Sequence, residues 1–363
     1  MQGARGRIDY LDGLRGIAAL AVVLQHVAER IIIADPASGS ILRPAFLDLF
    51  NAGRFGVALF FLISGFVIPF SFKEPRPLLR FSISRFFRLY PAYWLSLAFA
   101  VLTFPLLTGE NFSTARIVSN ITMVQAAFGQ RDVIGAYWTL FIELAFYGLC
   151  MALFATRLLS NWRAVVSAVF IALGISFVVA AYASLRGSHL PANVPLNIAL
   201  MFLGTLMRRA WLEQDVGAKR WVAGVSAVWA ILVPPILWLT PSQPDMPITP
   251  VSFCVAYWLA LGLFIAASKL TLPRGRVFRW LGLVSYSLYL FHDICIELLL
   301  KVIPPGDFWR DTLFSGAVLG SSIALAALIY YLIEHPSIQV GHRLIKIVQG
   351  KALTAHALKG ASN

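Results

Sequence analysis

The stretch Leu14–Val27, LRGIAALAVVLQHV, is apolar almost throughout, yet it carries an arginine at position 15 and a histidine at position 26. Eleven steps of about 100° return an α-helix to within roughly 20° of its starting direction, and at about 1.5 Å per residue they span about 16.5 Å. Arg15 and His26 therefore share one stripe of one helix, the first near a membrane face and the second deep in the bilayer. Such groups are costly against lipid, so the stripe is expected to face a protein interior and to form one wall of a tunnel.

The composition points the same way. With 59% hydrophobic and only 13% charged residues and a mean hydropathy of +0.76, the chain has lipid as its main solvent, which excludes soluble and fibrous classes. Ten spans are expected, at 13–33, 53–72, 90–108, 134–156, 163–185, 192–208, 220–240, 250–268, 279–301 and 311–334. Each lies near the roughly 20 residues that cross about 30 Å of hydrocarbon. Ile117–Phe128 is apolar but short and is broken by Asn120, Thr122 and Gln125, which suits an interfacial or re-entrant helix.

Charge tests that count independently. Only Arg30, Arg43, Arg54, Arg116, Arg131, Arg186, Lys301 and Arg310 fall on one side of the ten-span weave; apart from Arg15 inside its span, every other Lys and Arg falls on the opposite side. By the positive-inside rule both termini are expected in the cytoplasm. The same asymmetry accounts for the net charge of +13 without nucleic acid as a partner, since the excess meets anionic lipid headgroups. The first span is expected to remain in the mature protein, because Asp9, Asp12, Arg15 and His26 bracket or interrupt it.

Cys150, Cys254 and Cys295 stand singly in apolar runs, without disulfide or metal spacing, and read as packing residues. The chain is thus expected to be an all-α polytopic membrane protein. Its membrane domain covers residues 8–340, and a disordered cytoplasmic tail is expected at 349–363.

Depth organises the ionisable residues inside the spans, which are functional candidates by default. Measured from the span ends, His26 falls about 19 Å from the inner face, Glu143 about 20 Å, and His292 with Asp293 about 18 to 20 Å. An imidazole, a carboxylate and a His–Asp pair at one level make an acid–base centre plausible. Glu143 is the expected partner of His26. Nearer the cytoplasm stand Arg15, the run SRFFRLYP with Arg85 and Arg88, and Glu334 with His335 ahead of Pro336. Arginine forks suit phosphate oxygens, although positive-inside anchoring places arginines there as well.

Six segments, IDYLDGLRGIAALAVVLQHV, FFLISGFVI, SRFFRLYPAYW, YWTLFIELAFY, SYSLYLFHD and IEHP, follow one another in an order and spacing similar to those of the acyltransferase 3 family of integral membrane O-acyltransferases. The resemblance covers essentially the whole chain. It implies transfer of an acyl group, most often acetyl, from cytoplasmic acetyl-CoA or another acyl-CoA, without a metal. The acceptor would be a hydroxyl of a glycan or other envelope or secreted molecule, and the location the bacterial inner membrane. Carried over by residue, it implies catalytic roles for Arg15, His26 and Glu143, with Trp138 on the same element as Glu143. His26 would be the general base, or would carry the acyl group transiently, and Arg15, Arg85 and Arg88 would hold CoA phosphates. His292, Asp293 and Trp138 are left as an acceptor or second acid–base site. A secondary transporter or flippase is the competing reading, weakened by the lack of a convincing internal repeat.

Overall fold

The computed structural model describes residues 9–241, 249–269 and 276–360; Ile8 and the last three residues of the expected tail lie outside them. Every described element is helical. In chain order the α-helices are α1 (Asp9–Ala34), α2 (Pro36–Arg43), α3 (Ala52–Val67), α4 (Pro77–Thr108), α5 (Thr114–Ile121), α6 (Trp138–Ala155) and α7 (Trp162–Arg186). They continue with α8 (Asn193–Trp211), α9 (Val216–Leu239), α10 (Pro250–Lys269), α11 (Arg276–Val302), α12 (Phe308–Ile329) and α13 (His335–Gly360).

Among the described residues, 9 helical segments are long and apolar enough to cross a membrane. Of the ten expected spans, the exception is the sixth, α8. It packs against α3, α7 and α9 and buries Leu196, Asn197 and the run Ala199–Met207, so its composition answers to protein neighbours more than to lipid. Contacts between helices fix their directions. Thr205 donates to the Gly65 carbonyl and the Arg208 guanidinium lies 4.2 Å from the Phe70 ring, which sets α8 parallel to α3. By the same reasoning α1 and α11 are parallel, as are α4 and α11. Counting α8, the long helices alternate in direction as a ten-fold weave requires, and the start of α1 and the end of α12 share one face.

The α1–α11 pair organises the bundle. Gly282 sits against the backbone of Asp12, where a Cβ would lie 2.1 Å from the Asp12 carbonyl oxygen; glycine alone lets the two helices approach so closely. From that contact the register runs on through His26 beside His292 to the Arg30–Glu297 ion pair. Gly65 has the same function between α3 and α8, with its Cβ position 1.8 Å from the Met201 oxygen.

Two spans depart from expectation. Before α6, the segment after α5 folds into the bundle, the re-entrant of the two alternatives left open for it. Tyr93 donates to the Asn120 carbonyl at 2.5 Å, Tyr289 donates to the Ala136 carbonyl at 2.8 Å, and Tyr137 is fully buried. Helix α6 therefore begins inside the bundle, beside Tyr289, and not at the outer surface. At the other end, Pro336 does not end the tenth span. A wide π-helical turn, Tyr330–Glu334, joins α12 to α13, and the helix continues along α4. The extra residue in such a turn rotates the following side chain, which here brings Glu334 into the core. The tail expected to be disordered from residue 349 is helical as far as Gly360.

Helix propensity and packing predict opposite signs at two glycines. Gly224→Ala, where nothing lies within 4 Å of the added Cβ, should stabilise the protein by up to about 1 kcal/mol. Gly282→Ala should cost about 1 to 3 kcal/mol through the forced shift of α1. Thermal unfolding followed by fluorescence-detected size exclusion should show the first melting at or above wild type and the second clearly below it.

Candidate active site

The outer half of α1 carries a chain of buried hydrogen bonds that ends at His26. Gln25 accepts from the backbone N–H of Ala52 at 2.8 Å, and so ties α1 to the first turn of α3; its amide donates to Glu29 at 2.9 Å and to the Phe46 carbonyl at 3.2 Å. Glu29 in turn lies 3.0 Å from His26 Nδ1. A carboxylate can only accept, so Nδ1 of His26 carries a proton, and in the neutral imidazole Nε2 keeps its lone pair. His26 retains 33% side-chain accessibility although its neighbours belong to the core. Its ring turns toward the gap between α1 and α11.

Across that space stands α11. The rings of His26 and His292 are 5.2 Å apart. His292 is wholly buried, and its Nδ1 donates to the Tyr289 carbonyl at 2.8 Å, which again leaves Nε2 as the acceptor. That nitrogen makes no hydrogen bond, with Asp293 Oδ1 at 3.6 Å. Donor atoms of His26, His292 and Asp293 all lie within 4.8 Å of one another, a set able either to share protons or to hold one cation. Outward of them, Arg30 pairs with Glu297.

Glu143, the expected partner of His26, is placed elsewhere. It accepts from Ser64 Oγ at 3.2 Å and from Tyr147 OH at 2.6 Å. Ser64 lies eleven residues along α3 from Gly53, which packs on Gln25, and that separation is about 16.5 Å. Glu143 therefore belongs to the level of Arg15, and its field acts on Arg15 together with those of Asp12, Arg85 and Arg88. The depth count failed because it placed Ala136 at the outer surface, whereas Ala136 is already beside Tyr289, three residues before His292.

This inner level also gathers Glu334, buried and bonded to Ser287 Oγ at 2.8 Å, within the fields of Arg88 and Arg15. The Arg85 guanidinium lies over the Phe81 ring at 5.6 Å and the Tyr147 ring at 5.9 Å. His335 is exposed and stands apart from the site. Below the arginines opens a cleft of about 530 Å³ whose cations are Lys73, Arg80, Arg85, Arg208 and Lys346, with His342 beside them, from the α3–α4 turn, α4, α8 and α13.

Sequence reading brought Arg15, Arg85, Arg88 and Glu334 to one level and His26, His292 and Asp293 to another, as found. It missed Gln25 and Glu29, although Glu29 stands one turn beyond His26. It treated Ser64 as packing alone, and it took the cleft cations from α8 and α13 for topology anchors, because only the fold brings those helices together.

The chain matches the acyltransferase domain family over residues 8–331. It is 27% identical to nodulation protein 10 of Rhizobium leguminosarum bv. viciae, over 94% of this chain and 96% of that protein. It is 26% identical to the exopolysaccharide production protein ExoZ of Rhizobium meliloti, over 84% of this chain and 95% of that protein. The acyltransferase MdmB of Streptomyces mycarofaciens is 32% identical across 39% of this chain and 38% of its own length. No solved structure matches. With a family match across nearly all of its helices and relatives aligned from end to end, the chain belongs to the acyltransferase 3 family and is an integral membrane O-acyltransferase.

Proposed function

We propose that this enzyme moves an acyl group, most simply acetyl, from acyl-CoA on the cytoplasmic side to a hydroxyl of an exported polysaccharide or related envelope glycan, with His26 as general base. The observation that carries the reading is His26 itself: its Nδ1 is tied to buried Glu29, its Nε2 is free of protein partners among the described residues, and its ring turns toward His292 of α11. The relatives named for exopolysaccharide production and nodulation favour an exported acceptor.

In this mechanism the basic cleft and Arg85, Arg88 and Arg15 hold the CoA phosphates, and the pantetheine arm extends between α1, α3 and α11 toward His26. Nε2 of His26 takes the acceptor hydroxyl proton as that oxygen attacks the thioester carbonyl. Collapse of the tetrahedral intermediate breaks the C–S bond, and the imidazolium returns its proton to the departing thiolate, so protons and charge balance. Glu29 and Asp293 stabilise the imidazolium, and His292 fixes the wall against which it forms. Glu143 and Glu334, on the inner level, balance the crowded guanidinium charges and so position them. An acceptor met from outside and a donor met from inside suit an enzyme of the bacterial cytoplasmic membrane.

Labelled acetyl-CoA given with the isolated polysaccharide to the enzyme in nanodiscs, where both membrane faces are open to solution, tests the assignment. His26→Ala should lower kcat by about 10²–10⁴-fold with normal expression and membrane insertion; transfer at the wild-type rate would remove His26 from the mechanism. Asp293→Asn should lower kcat with little change in KM for acetyl-CoA.

The cleft predicts a separate signature. Lys73→Ala and Arg80→Ala should each raise KM for acetyl-CoA several-fold at low salt and leave kcat intact, and the difference should shrink as ionic strength rises. Unchanged KM in both variants would place the donor elsewhere.

A further inference from the structure

Arg54 stands at the start of α3, next to Gly53, whose Cβ position lies 3.1 Å from Gln25 Cγ. It is therefore on the outer level with His26. Three aromatic rings surround its guanidinium, Phe253 at 4.3 Å, Trp138 at 5.0 Å and Tyr257 at 6.0 Å. Those faces stabilise the cation, and the Tyr257 hydroxyl meets one part of the fork as a hydrogen-bond partner. No carboxylate lies within ion-pair distance of it among the described residues, and Nη1 is buried without a hydrogen-bond partner. Of the other arginines on the same side, Arg30, Arg43, Arg116 and Arg310 have acidic partners, and Arg131 and Arg186 are exposed.

An arginine inside a membrane bundle with its planar fork held open and no counter-ion is expensive unless something anionic completes it. Its place in the fold says what that is. Thr139, the residue after Trp138, bonds the Tyr289 hydroxyl at 2.8 Å, and Tyr289 bonds the His292 ring through its carbonyl. The aromatic cage is thus linked through Thr139 and Tyr289 to the outer polar level that holds His292, away from the basic donor cleft. Flat apolar rings beside a guanidinium fork suit a sugar ring bearing an oxyanion, because the fork takes two oxygens of a carboxylate or phosphate at once.

We propose that Arg54, with Trp138, Phe253 and Tyr257, forms an acceptor subsite that selects an acidic sugar residue, carrying a carboxylate or a phosphate, and holds a neighbouring hydroxyl toward His26. The assignment to the acceptor rests on the acyl-transfer reading; the oxyanion site itself does not.

The full chain in phosphatidylcholine nanodiscs, with no acyl donor present, should be titrated at millimolar concentrations with methyl β-D-glucuronide, glucose 1-phosphate and the neutral methyl β-D-glucoside. At least one anionic probe should bind tenfold or more tightly than the glucoside, and comparison of the two identifies which oxyanion the site takes. Arg54→Gln should bring that probe down to the glucoside level. Arg54→Lys, which keeps the charge but loses the fork, should retain part of the preference and shows that the cage still folds. Equal binding of all three probes, no binding of any, or an unchanged preference in Arg54→Gln each overturns the subsite. Because no donor is present, failure of CoA-dependent transfer would not disturb the result. Conversely, loss of the subsite would leave His26-dependent transfer standing.

Discussion

Hydrocarbon offers no hydrogen bonds, so a chain that carries Arg, His, Asp and Glu into the bilayer must satisfy them against its own helices. The close parallel contact of α1 with α11 is what makes this possible here. Gly282 against Asp12 draws the helices together at the inner end, and the register set there brings His26 to His292 and Arg30 to Glu297 farther out. A bulkier residue at the glycine contact would part the helices and leave two histidines and an aspartate without each other. The acid–base centre is a consequence of backbone packing about ten residues away.

From that constraint follows a division of the interior into two polar levels. The inner one concentrates guanidinium groups among Glu143, Glu334 and hydroxyls and opens to a cationic cleft. The outer one holds paired imidazoles, Asp293 and the Gln25–Glu29 network. Arg15 and His26 mark the two levels on a single helix. The two levels suit a ligand that is polyanionic at one end and reactive at the other, while the Arg54 cage faces the outer level from the opposite side. In the proposed function, donor and acceptor approach one imidazole from different faces of the membrane.

Much of this was legible in the sequence. Residue spacing on α1, hydropathy and the uneven distribution of Lys and Arg were enough for an all-helical membrane bundle, its weave and the two levels on α1 and α11, because each depends on one helix at a time. What the sequence hid depends on how segments enter the bundle. Ala136 looks like the surface end of a span, yet Tyr289 binds its carbonyl deep inside, and this shifted Glu143 by about one Arg15-to-His26 spacing. Pro336 looks like a helix stop, yet the π-helical turn before it carries the helix onward and turns Glu334 inward. The cleft and the Arg54 cage draw on several helices each, and no periodicity within one segment reports them.

The register of α1 against α11 is open to direct chemical measurement. A Cβ at Gly13 would lie 3.8 Å from that of Phe278, a separation typical of disulfides. In a background lacking Cys150, Cys254 and Cys295, the pair Gly13→Cys and Phe278→Cys should oxidise readily in membranes, give a linked peptide by mass spectrometry and leave acyl transfer intact. Two thiols that stay free under the same oxidation, each still open to maleimide, would contradict the parallel register on which the His26–His292 contact rests.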